Sequence, residues 1–192
     1  MPDPTQAART VAGLQAVAGL AHDRLDAVPD GMAVRDARRV VQRLAAEPGG
    51  TVCPVCDALA VVRDRTMGTG PTMCFLWLYQ ATRRGEAGYV RVKDRAPRRV
   101  VAAREFDKGA LFGLCEQDPE TPGDWRLTER GRAFAEGRVK IPASVSVFRG
   151  EVVATADDSV SLDDLAARSG GVRFYVREFR AGVTVGDNPL PK

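Results

Sequence analysis

The run Trp125-Arg126-Leu127-Thr128-Glu129-Arg130-Gly131-Arg132-Ala133-Phe134 constrains the fold more than any other part of the chain. It predicts a short strand that leads into a helix, with Thr128 as the capping residue of that helix and Ala133 and Phe134 as buried positions. A helix that ends at Leu111-Phe112-Gly113-Leu114 precedes this run, and a polar loop over residues 118–124 separates two short strands. Helix, strand, polar loop, strand and helix in this order are typical of a winged helix, a fold that indicates nucleic-acid binding.

The whole chain is predicted to be an α+β protein that has a winged helix-turn-helix core, an N-terminal helical hairpin and a small C-terminal β-hairpin. Apolar residues recur at helical spacing over residues 5–28 and 33–46, which predicts the helical hairpin. Strands at residues 144–148 and 151–156 are joined at Arg149-Gly150 and predict the β-hairpin. The predicted regions are the helical hairpin at 1–50, a CxxC knuckle with a short strand at 51–71, the winged-helix domain at 72–140, the β-hairpin with a short helix at 141–181, and a flexible tail at 182–192.

Within the winged-helix domain, an apolar helix is predicted from Thr72 to Arg83, and residues 89–93 alternate as a strand does. A short helix follows near residues 97–101, and the recognition helix is expected at 102–114. Arg104 and Lys108 are four positions apart and are therefore expected on one exposed face of that helix. Further along, Ser161 is predicted to cap a short helix, and residues 174–179 form a strand or a short helix.

The charge is unevenly distributed along the chain. The 192 residues carry a net charge of only +3, but residues 82–104 contain eight basic and two acidic side chains, a local charge of +6. A concentrated basic region on a nearly neutral protein predicts a surface for polyanions, whereas codon-biased arginine on a solvated surface is the alternative. No apolar run reaches the length of about 18 residues that a membrane span needs. The N-terminus lacks the features of a secretory signal, so we expect a cytoplasmic protein.

Binding to double-stranded DNA is the first functional hypothesis. The recognition segment 102–114 has no Asn, Gln or Ser to read bases, which favours phosphate-driven binding of modest sequence specificity. The acidic residues Asp118, Glu120 and Asp124 of the wing would repel phosphate. They support an alternative, a winged-helix protein-binding module that inhibits or redirects a host polymerase or defence protein. The candidate DNA contacts are Arg95, Arg98, Arg99, Arg104, Lys108, Arg126 and Arg130.

The pair Cys53 and Cys56 has the spacing with which two thiolates grip a zinc ion. Zinc needs two further ligands, and His22 is the only histidine. Cys74 and Cys115 are interpreted as small core residues, although a Cys₄ site is possible if they turn inward or if two chains share the metal. A metal-stabilised structural adaptor is therefore a third hypothesis.

No enzymatic activity is expected. A single histidine excludes most nucleophilic schemes that need a histidine base, and Gly68-Thr69-Gly70-Pro71 lacks the ending of a phosphate-binding loop. The adjacent carboxylates Asp157-Asp158 and Asp163-Asp164 fit helix capping and surface solvation better than catalysis.

Several short sequence motifs follow one another between residues 53 and 173. They are Cys53-Pro54-Val55-Cys56, Leu76-Trp77-Leu78-Tyr79, Tyr89-Val90-Arg91-Val92-Lys93-Asp94, Leu111-Phe112-Gly113-Leu114, Gly123-Asp124-Trp125-Arg126-Leu127-Thr128-Glu129-Arg130-Gly131, Ile141-Pro142 and Val147-Phe148-Arg149-Gly150-Glu151-Val152. In these the chain resembles a family of small bacteriophage-encoded proteins of unassigned function. The resemblance implies a phage or prophage origin and a winged-helix core, but no reaction or ligand. We therefore expect a phage-type regulator of transcription. The N-terminal helical hairpin is not covered by the resemblance, and its two apolar helices are expected to form a homodimer.

Overall fold

The computed structural model describes residues 33–53, 58–83 and 88–190, and every structural statement below refers to these ranges. They contain eight helices and ten short strands, so the protein is α+β as predicted. The helices are α1 (Val34–Ala45), α2 (Thr69–Arg83), α3 (Val92–Arg95), α4 (Arg98–Ala103), α5 (Phe106–Leu111), α6 (Glu129–Ala135), α7 (Leu162–Arg168) and α8 (Gly170–Arg180). The strands are β1 (Thr51–Val52), β2 (Leu59–Ala60), β3 (Arg63–Arg65), β4 (Val90–Arg91), β5 (Cys115–Gln117), β6 (Asp124–Leu127), β7 (Ile141–Pro142), β8 (Val145–Phe148), β9 (Glu151–Thr155) and β10 (Ser159–Val160).

The chain divides into two compact units, and the first contains α1 and a small hairpin of β1 and β2. β1 pairs antiparallel with β2, and the Val62 N–H donates to the Ala45 carbonyl at 2.9 Å, which ties the hairpin to the end of α1. The second helix of the predicted helical hairpin is confirmed as α1. The first one, at 5–28, and residues 54–57 of the CxxC knuckle lie outside the described residues.

Helix α2 is the centre of the second unit. Residues 71–79 are all buried, because this helix is apolar on every side and neighbouring elements cover it all round. It contacts α4, α5, α6, α8 and β6. Its aromatic side chains meet rings from two of these helices, Phe75 against Phe134 at 5.7 Å and Trp77 against Phe106 at 6.1 Å between centroids. None of the helices in the described ranges is long and apolar enough to cross a membrane.

The predicted recognition helix at 102–114 is wrong in its bounds. Helix α4 ends at Ala103, Arg104 takes a left-handed backbone with φ of 51°, and α5 begins only at Phe106. The break follows from tertiary packing, since the Phe106 ring lies 6.1 Å from Trp77 and 5.6 Å from Trp125. Arg104 and Lys108 therefore do not share the face of one helix, as the spacing had suggested.

The second unit holds a three-stranded antiparallel sheet in the order β4-β6-β5. Trp125 of β6 is opposite Val90 on one side and Gln117 on the other, and its side chain is buried as expected for a strand aromatic. The predicted strand at 89–93 is shorter than expected, because only Val90 and Arg91 pair with β6 and the chain turns helical at Val92.

Helix α6 is attached to the sheet through its first turn. The Thr128 hydroxyl accepts from the Gly131 N–H at 2.9 Å, which confirms the predicted cap, and it donates to the Gly113 carbonyl at 2.6 Å. Gly131 is buried, and a Cβ atom at this position would overlap the carbonyl oxygen of Leu114. Only glycine therefore allows α6 to approach the start of β5 this closely.

The C-terminal part contains the predicted β-hairpin of β8 and β9, within a sheet of order β3-β8-β9. Both turn residues, Arg149 and Gly150, have positive φ angles of 51° and 85°, as a two-residue type I′ turn requires. Ser161 caps α7 as predicted and forms a capping box with Asp164. Residues 174–179 belong to α8, so the helical alternative is the correct one.

The predicted flexible tail belongs to the second unit and is buried at residues 185–186, whereas residues 187–190 are exposed. Val185 is fully buried, and the Gln80 side-chain amide accepts from the Val185 N–H at 2.9 Å and donates to the Val183 carbonyl at 2.7 Å. Asn188 adds a bond of 2.7 Å to Glu178. A polar side chain on the otherwise apolar α2 thus orders this segment, which local sequence patterns did not indicate.

Candidate nucleic-acid interface

We call α4, α5 and the turn between them, residues 98–111, the helix-turn-helix segment. It presents the exposed cations Arg98, Arg99 and Arg104. Arg98 and Arg99 form the first turn of α4, and Arg104 occupies the turn between α4 and α5. None of the three forms an ion pair with another described residue. Their guanidinium groups are therefore available to an external anion, and each can offer two parallel hydrogen bonds to a phosphate.

The cations on and beside the sheet are arranged differently, because each has a carboxylate partner. Arg91 binds Asp124 at 3.1 Å across the β4–β6 pair. Arg126 forms an ion pair with Glu116 across β5 and β6, and its guanidinium lies 4.8 Å from the centroid of the Tyr89 ring. Hydrogen bonds that the two guanidinium groups donate to these carboxylates raise the pKa of Arg91 and of Arg126 above its usual value. Both arginines therefore stay charged, and the partner carboxylates balance their charge.

Three more candidate contacts lie near the turn and the helix ends. Lys108 forms an ion pair with Glu105, the residue that precedes α5, and its side chain is 32% exposed. Arg130 lies exposed in the first turn of α6, and its side chain reaches the vicinity of Gly113. Arg95 is exposed at the end of α3. The seven candidates therefore divide between α3, the helix-turn-helix, the sheet and α6.

The acidic loop between β5 and β6, which the sequence predicts to be the wing, is shaped by its own side chains. The Asp118 side chain accepts from the Glu120 N–H at 2.9 Å, and the Asp118 N–H donates to the Asp124 carbonyl at 2.9 Å. Gly123, with φ of 100°, completes the turn before β6. Asp118 and Asp124 thus shape the wing, and the charge of Asp124 is compensated by Arg91.

Lys93 is a residue that sequence reasoning counted in the basic segment but did not select as a contact. The structure brings it together with Arg104, since both line a cleft between α3, the helix-turn-helix and the sheet. The signal in the sequence was weak, because a single exposed lysine on a short helix resembles any solvated surface residue.

The cysteines of the second unit behave as core residues. Cys74 donates to the Val100 carbonyl at 3.8 Å, and Cys115 donates to the Phe106 carbonyl at 3.2 Å. Burial raises the pKa of each thiol to about 12, so neither is a thiolate at neutral pH.

The first cysteine of the CxxC pair, Cys53, is buried, and its sulfur accepts a hydrogen bond from the Arg149 guanidinium at 3.4 Å. Cys56 lies outside the described residues. Over the ranges that the structure describes, no group of three or more His, Cys, Asp or Glu side chains is arranged to hold a metal ion. A zinc site at Cys53 and Cys56 stays a prediction.

Comparison with known proteins gives no relative. No protein-family model matches the chain, and no significant match is found among curated proteins or among solved structures. The bacteriophage resemblance therefore stays a prediction, and the function has to be argued from the geometry of the chain itself.

Proposed function

We propose that residues 69–135 form a winged helix-turn-helix that binds double-stranded DNA and regulates transcription. The observation that carries this proposal is the order of the elements: α2, β4, the short α3, α4, α5, β5, the loop 118–123 as the wing, and β6, with β6 between β4 and β5 in the sheet. In a winged helix this order aims the second helix of the helix-turn-helix at the major groove and the wing at the DNA backbone.

The charges support phosphate contact rather than base reading. Arg98, Arg99 and Arg104 are exposed on the helix-turn-helix and have no carboxylate partner in the described part of the chain. Helix α5 is only six residues long and exposes Asp107 beside the paired Lys108. Such a helix offers few base contacts, so we expect affinity that is dominated by phosphates and only modest sequence specificity.

A protein-binding winged helix, directed at a host polymerase or defence protein, is the second candidate. It is favoured by the ion pairs Arg126–Glu116 and Arg91–Asp124, which leave the sheet and the wing without net positive charge. A wing of this kind gains little from a phosphate backbone and presents mixed charges that suit a protein surface.

The deciding experiment is fluorescence anisotropy with a generic duplex over a salt series. For a DNA binder, the double variant Arg98→Gln/Arg99→Gln should weaken binding and lower the magnitude of the log–log salt slope by about 1.8, since each phosphate contact contributes about 0.9. Arg168→Gln is the matched control, because Arg168 is an exposed arginine at the end of α7. Absence of binding at low salt would reject DNA and favour the protein partner.

Further expectations belong to the same proposal. A regulator of phage or host transcription would act in the bacterial cytoplasm. We also propose that it forms a homodimer through the N-terminal helices, of which the structure describes α1 alone.

A further inference from the structure

A cleft of about 330 Å³ lies where α3, the helix-turn-helix and the sheet meet. This volume is within the range of small-molecule sites in proteins. Apolar side chains line it, namely Val92, Val101, Phe106 and Trp125. The rings of Phe106 and Trp125 are stacked with their centroids 5.6 Å apart, and both residues are largely buried, so only a small part of each faces the cleft.

The polar side chains of the cleft give it a positive character. Lys93 and Arg104 both line it, and neither forms an ion pair within the described residues. Asp107 is the acidic residue of the lining, and Gln117 adds an amide. Two cations face one carboxylate, so an anionic group gains net attraction here.

The backbone of Arg104 is a second, independent observation. Its φ of 51° lies in the left-handed region, which costs an arginine about 1 kcal/mol relative to a relaxed backbone. Glycine would make the same turn without this strain. The chain nevertheless has arginine at this position, and its side chain lines the cleft. Strain that is retained in this way is typical of functional positions.

We propose that this cleft binds a small aromatic carboxylate. The ring would lie against Phe106 and Trp125, and the carboxylate would be held by Lys93 and Arg104. A hydroxyl or amino group on the ring would meet Asp107. The proposal goes beyond DNA binding and does not require it, although Arg104 is also one of the candidate DNA contacts.

The test is a ¹H–¹⁵N NMR titration of the full chain with 2-naphthoate, followed at Gly123 and at the Trp125 indole. We expect saturable shifts with a Kd of about 0.1 to 1 mM, an ordinary affinity for a ligand of this size. The neutral isostere 2-naphthamide should bind at least about fivefold more weakly, because it lacks the charge-assisted contacts. No DNA is present, so a negative result leaves the DNA proposal untouched.

Two variants connect the affinity to the cleft. Lys93→Gln and Arg104→Asn should each weaken 2-naphthoate about threefold to tenfold. Asparagine tolerates the left-handed backbone, so this variant removes the cation without adding strain. Arg168→Gln should leave the affinity unchanged. Absence of saturable shifts up to about 10 mM, equal binding of 2-naphthamide, or unchanged affinity in both cleft variants would overturn the proposal. If a variant failed to fold, the comparison of the two ligands on the natural chain would decide.

Discussion

The helix-turn-helix segment and the sheet of the second unit carry the same kind of side chain in opposite settings. Arg98, Arg99 and Arg104 of the helix-turn-helix point to solvent without a carboxylate partner in the described ranges. Arg91 and Arg126 of the sheet each bind a carboxylate from the neighbouring strand. An arginine on a strand faces whatever residue the register puts opposite it, whereas a helix end and a turn have no such neighbour.

The difference shows that the number of basic residues in a segment is a poor measure of its attraction for polyanions. Residues 82–104 hold a charge of +6 in the sequence, but Arg91 is neutralised by Asp124, a residue 33 positions further along the chain. Whether the helix-turn-helix and the sheet act as one interface depends on the junction that holds them together and on the strength of these ion pairs.

The largest effect is expected from a change at Gly131 of α6. This residue contacts Leu114, which connects the helix-turn-helix segment to β5. Gly131→Ala puts a methyl group where the Leu114 carbonyl oxygen lies, so α6 has to move away from β5. We expect the free energy of unfolding to fall by about 3 kcal/mol, the upper part of the range for overpacking. Urea denaturation followed by circular dichroism measures it.

The control for this prediction is Gly170→Ala in the first turn of α8. A Cβ atom there meets no other atom within 4 Å, so the same methyl group should have little effect or stabilise slightly. Equal stability of the two variants would show that the close approach of Gly131 to Leu114 has no energetic weight.

A smaller effect is expected when Arg126 loses its ion pair with Glu116. Glu116→Gln removes its carboxylate partner, so the sheet gains a cation that a phosphate can bind. At low salt we expect duplex affinity to rise by about threefold, while stability changes by less than about 1 kcal/mol, as for other exposed ion pairs. Fluorescence anisotropy gives the affinity.

Asp157→Asn controls for net charge, because it removes one negative charge from an exposed bend. Its effect on duplex affinity should be smaller than that of Glu116→Gln. If both variants raised affinity equally, total charge would matter and the placement of Arg126 would not. If Glu116→Gln lowered affinity, the ion pair itself would be needed to orient the wing.

Local signals predicted the parts of the fold that local chemistry determines. The Thr128 cap, the Ser161 capping box and the Arg149-Gly150 turn each depend on residues within a few positions of one another, and all three are present. The burial of Trp125 was predictable as well, since a large aromatic side chain in a short strand is usually packed in the core.

Long-range packing determined what the sequence did not reveal. The segment Ala102-Ala103-Arg104-Glu105-Phe106 contains no glycine or proline, so nothing local predicts a break. The helix ends because the Phe106 ring lies between Trp77 and Trp125, residues far away in sequence. The cleft was equally hidden, because Lys93, Arg104 and Trp125 meet only in the folded chain.

The smallest effect is expected at Asp164, a carboxylate in the capping box of α7. Hydrogen bonds from the Ser161 N–H and hydroxyl, with Lys140 at 3.7 Å, lower the pKa of Asp164 from its ordinary value of 3.8. A depressed pKa in the folded state stabilises the protein above the ordinary pKa, and this stabilisation is lost as the pH falls through the folded-state value. Asp164→Asn should therefore lower stability near pH 7, and the gap to the natural chain should shrink below about pH 3.8. Urea midpoints from pH 7 down to the acid limit measure this gap. If this difference in stability stayed constant with pH, the cap would act through hydrogen-bond geometry alone. The negative charge of Asp164 would then contribute as little to stability as an exposed ion pair does.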